Sequence, residues 1–196
     1  GGRFDDLTLR NYRQTVEAGS ENITLLSPRG TANPYFAEFG WLTGNGTVTG
    51  GGKTLWSTRQ NKLTTEKPLV LTARTDDGLI LTRTIAVDAK YMFTVTDSIK
   101  NGSNASVNVS SFGRVTRVNT PDTRGFFILH EGPIGVFNRT LKEMDYDDLV
   151  DHPVGVELCG IDVFCLAPIT DVCDESGAES RPDDGPEVRF HMGVAV

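Results

Sequence analysis

Between residues 67 and 118 the sequence alternates apolar and polar side chains with few interruptions. "LILTRTIAVD" (79–88) sets Leu79, Leu81, Ile85 and Val87 on one side, and "YMFTVTDSI" (91–99) does the same with Tyr91, Phe93, Val95 and Ile99. Successive side chains of a strand point to opposite faces, whereas a helix repeats every 3.6 residues, so this period fits half-buried strands and not helices. Turn formers punctuate the pattern: "TDDG" at 75–78 and "NGSNAS" at 101–106. Asn and Gly accept the positive φ that tight turns need. The runs flanking "NGSNAS" within 90–115 are therefore expected to form one long, regular β-hairpin.

The same grammar extends to both sides. Strand-like runs fall at 5–12, 21–28, 34–42, 67–74 and 107–118, with β-branched residues inside the runs and most of the 21 glycines between them. Many regularly spaced strands joined by short turns point to a sandwich of two antiparallel sheets. One stretch reads as a helix: "TLKEMDYDDLV" (140–150) spaces Leu141, Met144 and Leu149 helically, and Thr140 with Glu143 resembles a capping box. "ESGAESRPDDGPE" (175–187), rich in Gly, Pro, Ser and acid, reads as loop or disordered chain.

A chain of 196 residues with 38% apolar content can bury the core of one domain, or of one domain with a ragged end. It contains no eighteen-residue apolar stretch; the most apolar late run, 154–168, is broken by Glu157 and Asp162. "GGRFDDLTLR" has neither a basic nor an apolar leader region, and its direct entry into strand suggests a piece of something larger. The net charge of −7 argues against a nucleic-acid partner. It is unevenly spread: residues 1–142 carry 17 basic and 12 acidic groups, residues 143–196 carry 2 and 14. An acidic end of this kind is expected to be a solvated or partly disordered face, with an acidic docking surface as the alternative.

Reactive constellations are not legible. Cys159, Cys165 and Cys173 fit no metal-binding spacing, and an odd number cannot pair completely within the chain, so they read as small buried side chains. His130, His152 and His191 form no HxH or HExxH. His130 adjoins Glu131, but neighbours in a strand point apart. There is no GxSxG. The acids of 143–151 could supply a glycosidase pair but read better as a solvated helix face. "TGNGTVTGGGK" (43–53) lacks the spacing of a phosphate-binding loop and reads as a hairpin loop. No catalytic, cofactor-binding or metal-binding residue is assigned, no cofactor is expected, and partner-binding residues cannot be named. Asn22, Asn45, Asn101, Asn104, Asn108 and Asn138 each begin an N-x-S/T sequon, six of the ten asparagines. Either a glycosylated extracellular domain or the ordinary turn chemistry of a β protein accounts for them.

"YFAEFGW" (35–41), "RTIAVDAKYMFTVTDSIKN" (83–101) and "LHEGPIG" (129–135), together with "DDLTLRNYRQTV" and "LLSPRG", resemble the large periplasmic domain of the YidC/Oxa/Alb family of membrane protein insertases, in order through roughly residues 3–150. The likeness thins through "CGIDVFCLAPIT" (159–170), and "EVRFHMGVAV" has only the look of a late strand. It implies a mostly β, antiparallel two-sheet supersandwich of the galactose-mutarotase-like kind, in residues 1–172, with its first strands absent. An acidic, divergent or partly disordered segment would follow over 173–196. Phe39, Trp41, Tyr91 and Phe93 would be packing residues, and Gly132, Pro133 and Gly135 a shaped turn. The resemblance further implies a non-enzymatic accessory domain in the bacterial periplasm, attached to the inner membrane through helices absent from this chain. Its partners would be Sec translocon subunits and nascent membrane proteins. The family's functional arginine lies in the transmembrane part, so no arginine here takes that role. The alternative is a secreted carbohydrate-binding or carbohydrate-acting sandwich, which would need Trp41 or Trp56 as an open platform beside paired acids.

Overall fold

The computed structural model describes residues 1–120, 132, 134–137, 140–146, 161–165, 179–181 and 185–192. Eight strands fill the first part: β1 (Leu7–Arg13), β2 (Asn22–Leu26), β3 (Tyr35–Thr43), β4 (Val48–Thr49), β5 (Leu69–Arg74), β6 (Leu79–Val87), β7 (Phe93–Asn101) and β8 (Val109–Arg117). The described residues beyond them add β9 (Ile134–Phe137), β10 (Thr140–Glu143), β11 (Ile161–Cys165), β12 (Glu179–Arg181) and β13 (Gly185–Met192). Every strand run expected in residues 1–118 is present, with ends displaced by no more than a few residues.

The strands form three sheets. The largest runs β10-β9-β11-β13-β7-β6-β5, with β12 paired to β13; a second is β4-β3-β8; a third is the pair β1-β2. All pairings are antiparallel except β11 with β13. Leu26, Tyr35, Ala37, Phe39 and Val115 from the smaller layers meet Leu71, Ile85, Phe93, Val95, Phe190 and Met192 from the large sheet in one core cluster. A second cluster joins Trp41 to Ala73, Leu79, Leu81 and Ile99. This is the expected layering of a sandwich, and each fully buried Leu or Phe within it contributes about 1.5–3 kcal/mol. Close approach between layers sets local sequence. A side chain at Gly113 would meet the rings of Phe190 and Phe39 at 3.0–3.2 Å, so glycine makes room for the Phe39–Phe190 ring contact at 4.9 Å.

The hairpin expected within residues 90–115 does not form. β7 pairs with β6 and β13, while β8 pairs with β3 in the other sheet. The segment 102–108 is a crossover between layers. Asn101 turns the chain there, accepting from the Ser103 backbone N–H at 2.9 Å and donating to the Ala105 carbonyl at 2.7 Å. Alternation identifies a strand's faces but not its partner, and a seven-residue connection is long enough to change sheets. The hairpins of this region lie one and two connections earlier. "TDDG" joins β5 to β6, with Gly78 at φ 92. Residues 88–92 join β6 to β7, where Asp88 Oδ1 accepts the N–H groups of Lys90 and Met92 at 2.8 Å each.

Two further expectations are corrected. Residues 140–143, expected to open a helix, form β10 against β9. Cross-strand pairing with 134–137 overrides the helical spacing of Leu141 and Met144. Helical backbone begins only at Tyr146, and 147–150 lie outside the described residues. In the stretch expected as loop or disorder, residues 179–181 form β12 and 185–187 begin β13. β13 sits between β11 and β7, and its Phe190 and Met192 are buried, which matches the late strand suggested by "EVRFHMGVAV".

Candidate functional surface

Two charged constellations and one groove stand out among the described residues. The first was hidden by the alternation itself. Arg83 and Asp97 occupy inward positions of β6 and β7, between Leu81 and Ile85 and between Val95 and Ile99. They are direct partners across the ladder. Arg83 Nε donates to Asp97 Oδ1 at 2.7 Å and Nη2 to Oδ2 at 2.6 Å, a two-pronged ion pair with side-chain exposures of 0% and 2%. Arg83 also donates to the carbonyls of Gly2 (2.8 Å), Phe39 (2.9 Å) and Gly50 (3.2 Å). Its guanidinium lies 4.8 Å from the Trp56 ring. Every arm of this arginine is committed to protein, and water is excluded, so its role is to hold segments together. A signal was present in the sequence: opposite charges at the inward parity of two strands, equidistant from Lys90 at the centre of their turn.

The second constellation lies on the other face of β3. Glu38 is buried and accepts from Arg3 (Nε 3.1 Å, Nη2 3.0 Å) and from Arg114 Nη2. Burial pushes the Glu38 carboxyl up, but Arg114 and then Arg3 outweigh it and hold the group below the usual carboxylate range. Arg3 also stacks over Phe36 at 4.8 Å, and Arg117 over Tyr35 at 4.7 Å. These contacts tie the N-terminal segment and β8 onto β3.

The groove has a volume of about 350 Å³ and is lined by residues 7–12 of β1 with Tyr91 and Phe93. Leu9 and Phe93 are buried at its floor, and Tyr91, 38% exposed, stands at its rim. Tyr91 is thus not the core residue it was expected to be. Its φ of 63° follows from the Asp88 turn, which lifts the ring out of the alternation.

Among the described residues, those weighed for chemistry are not brought together. His191 sits on β13 with its Nδ1 3.1 Å from Thr94 Oγ1, a cross-strand contact. His130, His152, Cys159, Cys173 and Asn138 lie outside the described residues, as do most of the acids of 143–151. Cys165 ends β11. Among the described residues no group of three His, Cys, Asp or Glu side chains gathers as for a metal. The glycine-rich 43–53 loop closes the β3–β4 turn, and its Gly50 carbonyl receives Arg83. Trp41 is 1% exposed and offers no open stacking face, and one face of the half-buried Trp56 is taken by Arg83. Of the sequon asparagines, Asn22, Asn45 and Asn101 spend their amides on local backbone and side-chain bonds, which favours turn chemistry at those three. Gly135, expected in a shaped turn, lies within β9 instead.

Comparison with known proteins places this β domain in a family. The family model described as "YidC periplasmic domain" matches residues 1–157. The membrane protein insertase YidC of Methylobacterium sp. (strain 4-46) is 45% identical over 157 residues, covering 79% of this chain and 25% of that protein. Those of Sinorhizobium medicae (strain WSM419) and Dinoroseobacter shibae are 47% identical over 155 residues and 41% over 157, each covering 78% of this chain and 26% of the relative. The chain spans about a quarter of the length of these curated relatives. With a family match over four-fifths of its length and relatives about 45% identical over the same span, the chain belongs to the YidC periplasmic domain family.

Proposed function

We propose that this domain is a non-enzymatic, outboard attachment of an inner-membrane insertase. It aids insertion and folding of membrane proteins by docking on Sec translocon subunits or on the substrate polypeptide, and the membrane is reached through helices outside this chain. The observation that carries the reading is the use of charge. The buried charged side chains of the described residues, Arg83, Asp97 and Glu38, are bound into structural networks, and what remains accessible is strand edge, groove and rim. Such surfaces suit polypeptide partners, which bring backbone donors and acceptors of their own. Weak contacts suffice, because tethering to the same membrane raises the effective concentration of partner and domain.

Site-specific photo-crosslinking tests this in cells producing the full-length protein. Probes at exposed positions such as Arg10, Val70 and Leu141 are expected to capture translocon subunits or nascent membrane proteins. Capture of neither, from any of these positions, overturns the proposal. Titration of simple sugars into the domain by calorimetry is expected to give no heat of binding; saturable heat would restore the carbohydrate alternative.

A further inference from the structure

We propose that the free edge of β1 is a strand-addition site for an extended polypeptide that is apolar at alternate positions and carries a carboxylate opposite Arg10. This rests on the reading of the domain as a polypeptide-contacting module and locates the contact. The groove touches six consecutive residues, 7–12. Alternate side chains of a strand point to opposite faces, so a groove met by six in a row runs beside the strand rather than beneath one face. No residue of β2 lines it, which places it on the edge away from β2. Among the described residues no strand is paired to that edge. An unpaired edge offers a row of N–H and C=O groups that only another backbone matches in spacing.

The chemistry of the walls selects the occupant. Leu9 and Phe93 form an apolar floor and Tyr91 a tall aromatic side wall. Alternate apolar side chains of an added strand would drop onto that floor. Arg10 is the sole charged lining residue; it is exposed, and its guanidinium has no partner among the described residues. A free cation beside an open edge selects an acidic residue in the incoming segment and disfavours a basic one. The β1 backbone is also held ready. Between the Leu9–Ile23 and Arg13–Asn22 pairs the ladder slips, and the Asn22 amide fills the gap by donating to the carbonyls of Leu9 (3.0 Å) and Arg10 (2.6 Å). Those bonds stiffen the edge on its closed side. Tyr91 is kept in the left-handed region although the site would be less strained with glycine.

The probe is a fluorescein-labelled peptide of about ten residues, alternating Val and Thr with one central Asp and Gly-Ser ends. Binding to the 196-residue chain is read by fluorescence anisotropy. Saturable binding is expected, weakened at least about tenfold when alternate backbone amides of the peptide are N-methylated along one edge. Arg10→Glu is expected to weaken the Asp peptide about tenfold and to strengthen its Asp→Lys counterpart, a reversal that mere surface stickiness would not give. Tyr91→Gly is expected to lower affinity while the thermal midpoint holds or rises, which separates a lost wall from a lost fold. No binding at millimolar peptide, equal binding of the N-methylated peptide, or indifference to both substitutions overturns the site. Persistent crosslinks from Val70 or Leu141 in cells alongside any of those results would leave the accessory role standing and remove only this location for it.

Discussion

Two carboxylate–guanidinium sites, one on each face of β3, show how far solvent decides what an ion pair does. At Arg83–Asp97 both side chains are sealed from water, and the guanidinium reaches beyond its carboxylate to carbonyls of the N-terminal segment, of β3 and of the glycine loop. At Glu38 a single carboxylate is shared by Arg3 and Arg114, whose side chains are 18% and 32% exposed. One buried nitrogen there, Arg114 Nε, has no hydrogen-bond partner among the described residues. The sealed site is a lock: segments far apart in sequence converge on one rigid fork. The half-open site is a clasp, with one anion between two cations that water already serves in part. Charges taken fully out of water have nothing but each other and the backbone, so breaking one partner strands the other. Charges at the margin retain water as a substitute.

Asp97→Ala is the hardest test of that contrast. It strands the Arg83 guanidinium in the core and is expected to destabilise the chain by about 3–5 kcal/mol in urea unfolding. Replacing both partners, Arg83→Met with Asp97→Leu, sharpens the point. A simple buried pair exchanged for apolar residues of similar size is often neutral or stabilising. Here the carbonyls of Gly2, Phe39 and Gly50 would also lose their donor. The double variant is therefore expected to remain about 2 kcal/mol or more below the parent. If it matches the parent, the lock is only an ion pair and the three carbonyls are incidental. On the clasp side, Glu38→Gln keeps a side-chain acceptor but removes the anion, and a smaller loss of about 1–2 kcal/mol at neutral pH is expected. A loss as large as that of Asp97→Ala would erase the distinction between the two sites.

The same contrast explains what the sequence made legible. The strands of residues 1–118 could be placed because one buried face imposes period two, and Leu79, Leu81, Ile85, Phe93, Val95 and Ile99 display it directly. Arg83 and Asp97 obey the same parity but looked like interruptions, since either charge alone inside a sheet is prohibitive and only their register makes the pair acceptable. Register is a long-range property that turn chemistry fixes, and the Asp88 turn at 88–92 carries no Asn-Gly or Asp-Gly signature. For the same reason the hairpin was placed one connection too late: local pattern cannot say whether a seven-residue linker returns to its own sheet or crosses to the next. The first turn of the helix expected over 140–150 is strand at 140–143, because capping-box chemistry is a weak local preference beside an available strand partner. The groove was not legible at all. It arises where β1 and the rim of β7 approach across more than seventy residues of chain, and Tyr91, its wall, shares the parity of the buried Phe93.

The smallest effect is the most specific to the clasp. In the folded chain Glu38 releases its proton more readily than an unperturbed carboxyl of pKa 4.5, because Arg114 and Arg3 outweigh the cost of burial. The unfolded chain therefore binds more protons around that pH, and stability rises with pH there. The contribution of Glu38 is fully present above the ordinary carboxylate value and is lost as pH falls through its lower folded-state value. Glutamine cannot titrate. The stability curves of the parent and of Glu38→Gln are thus expected to stand apart at neutral pH and to converge in acid, as protonation turns the parent's carboxylate into a neutral group like the amide. The lock gives a control, since the Glu38→Gln background leaves Arg83 and Asp97 intact and any remaining acid sensitivity belongs to other carboxyls. Curves that stay parallel from neutrality down to the acid limit of folding would mean that Arg3 and Arg114 do not bias this carboxyl. Its burial would then be sustained by packing against Phe36 and the neighbouring strand rather than by charge.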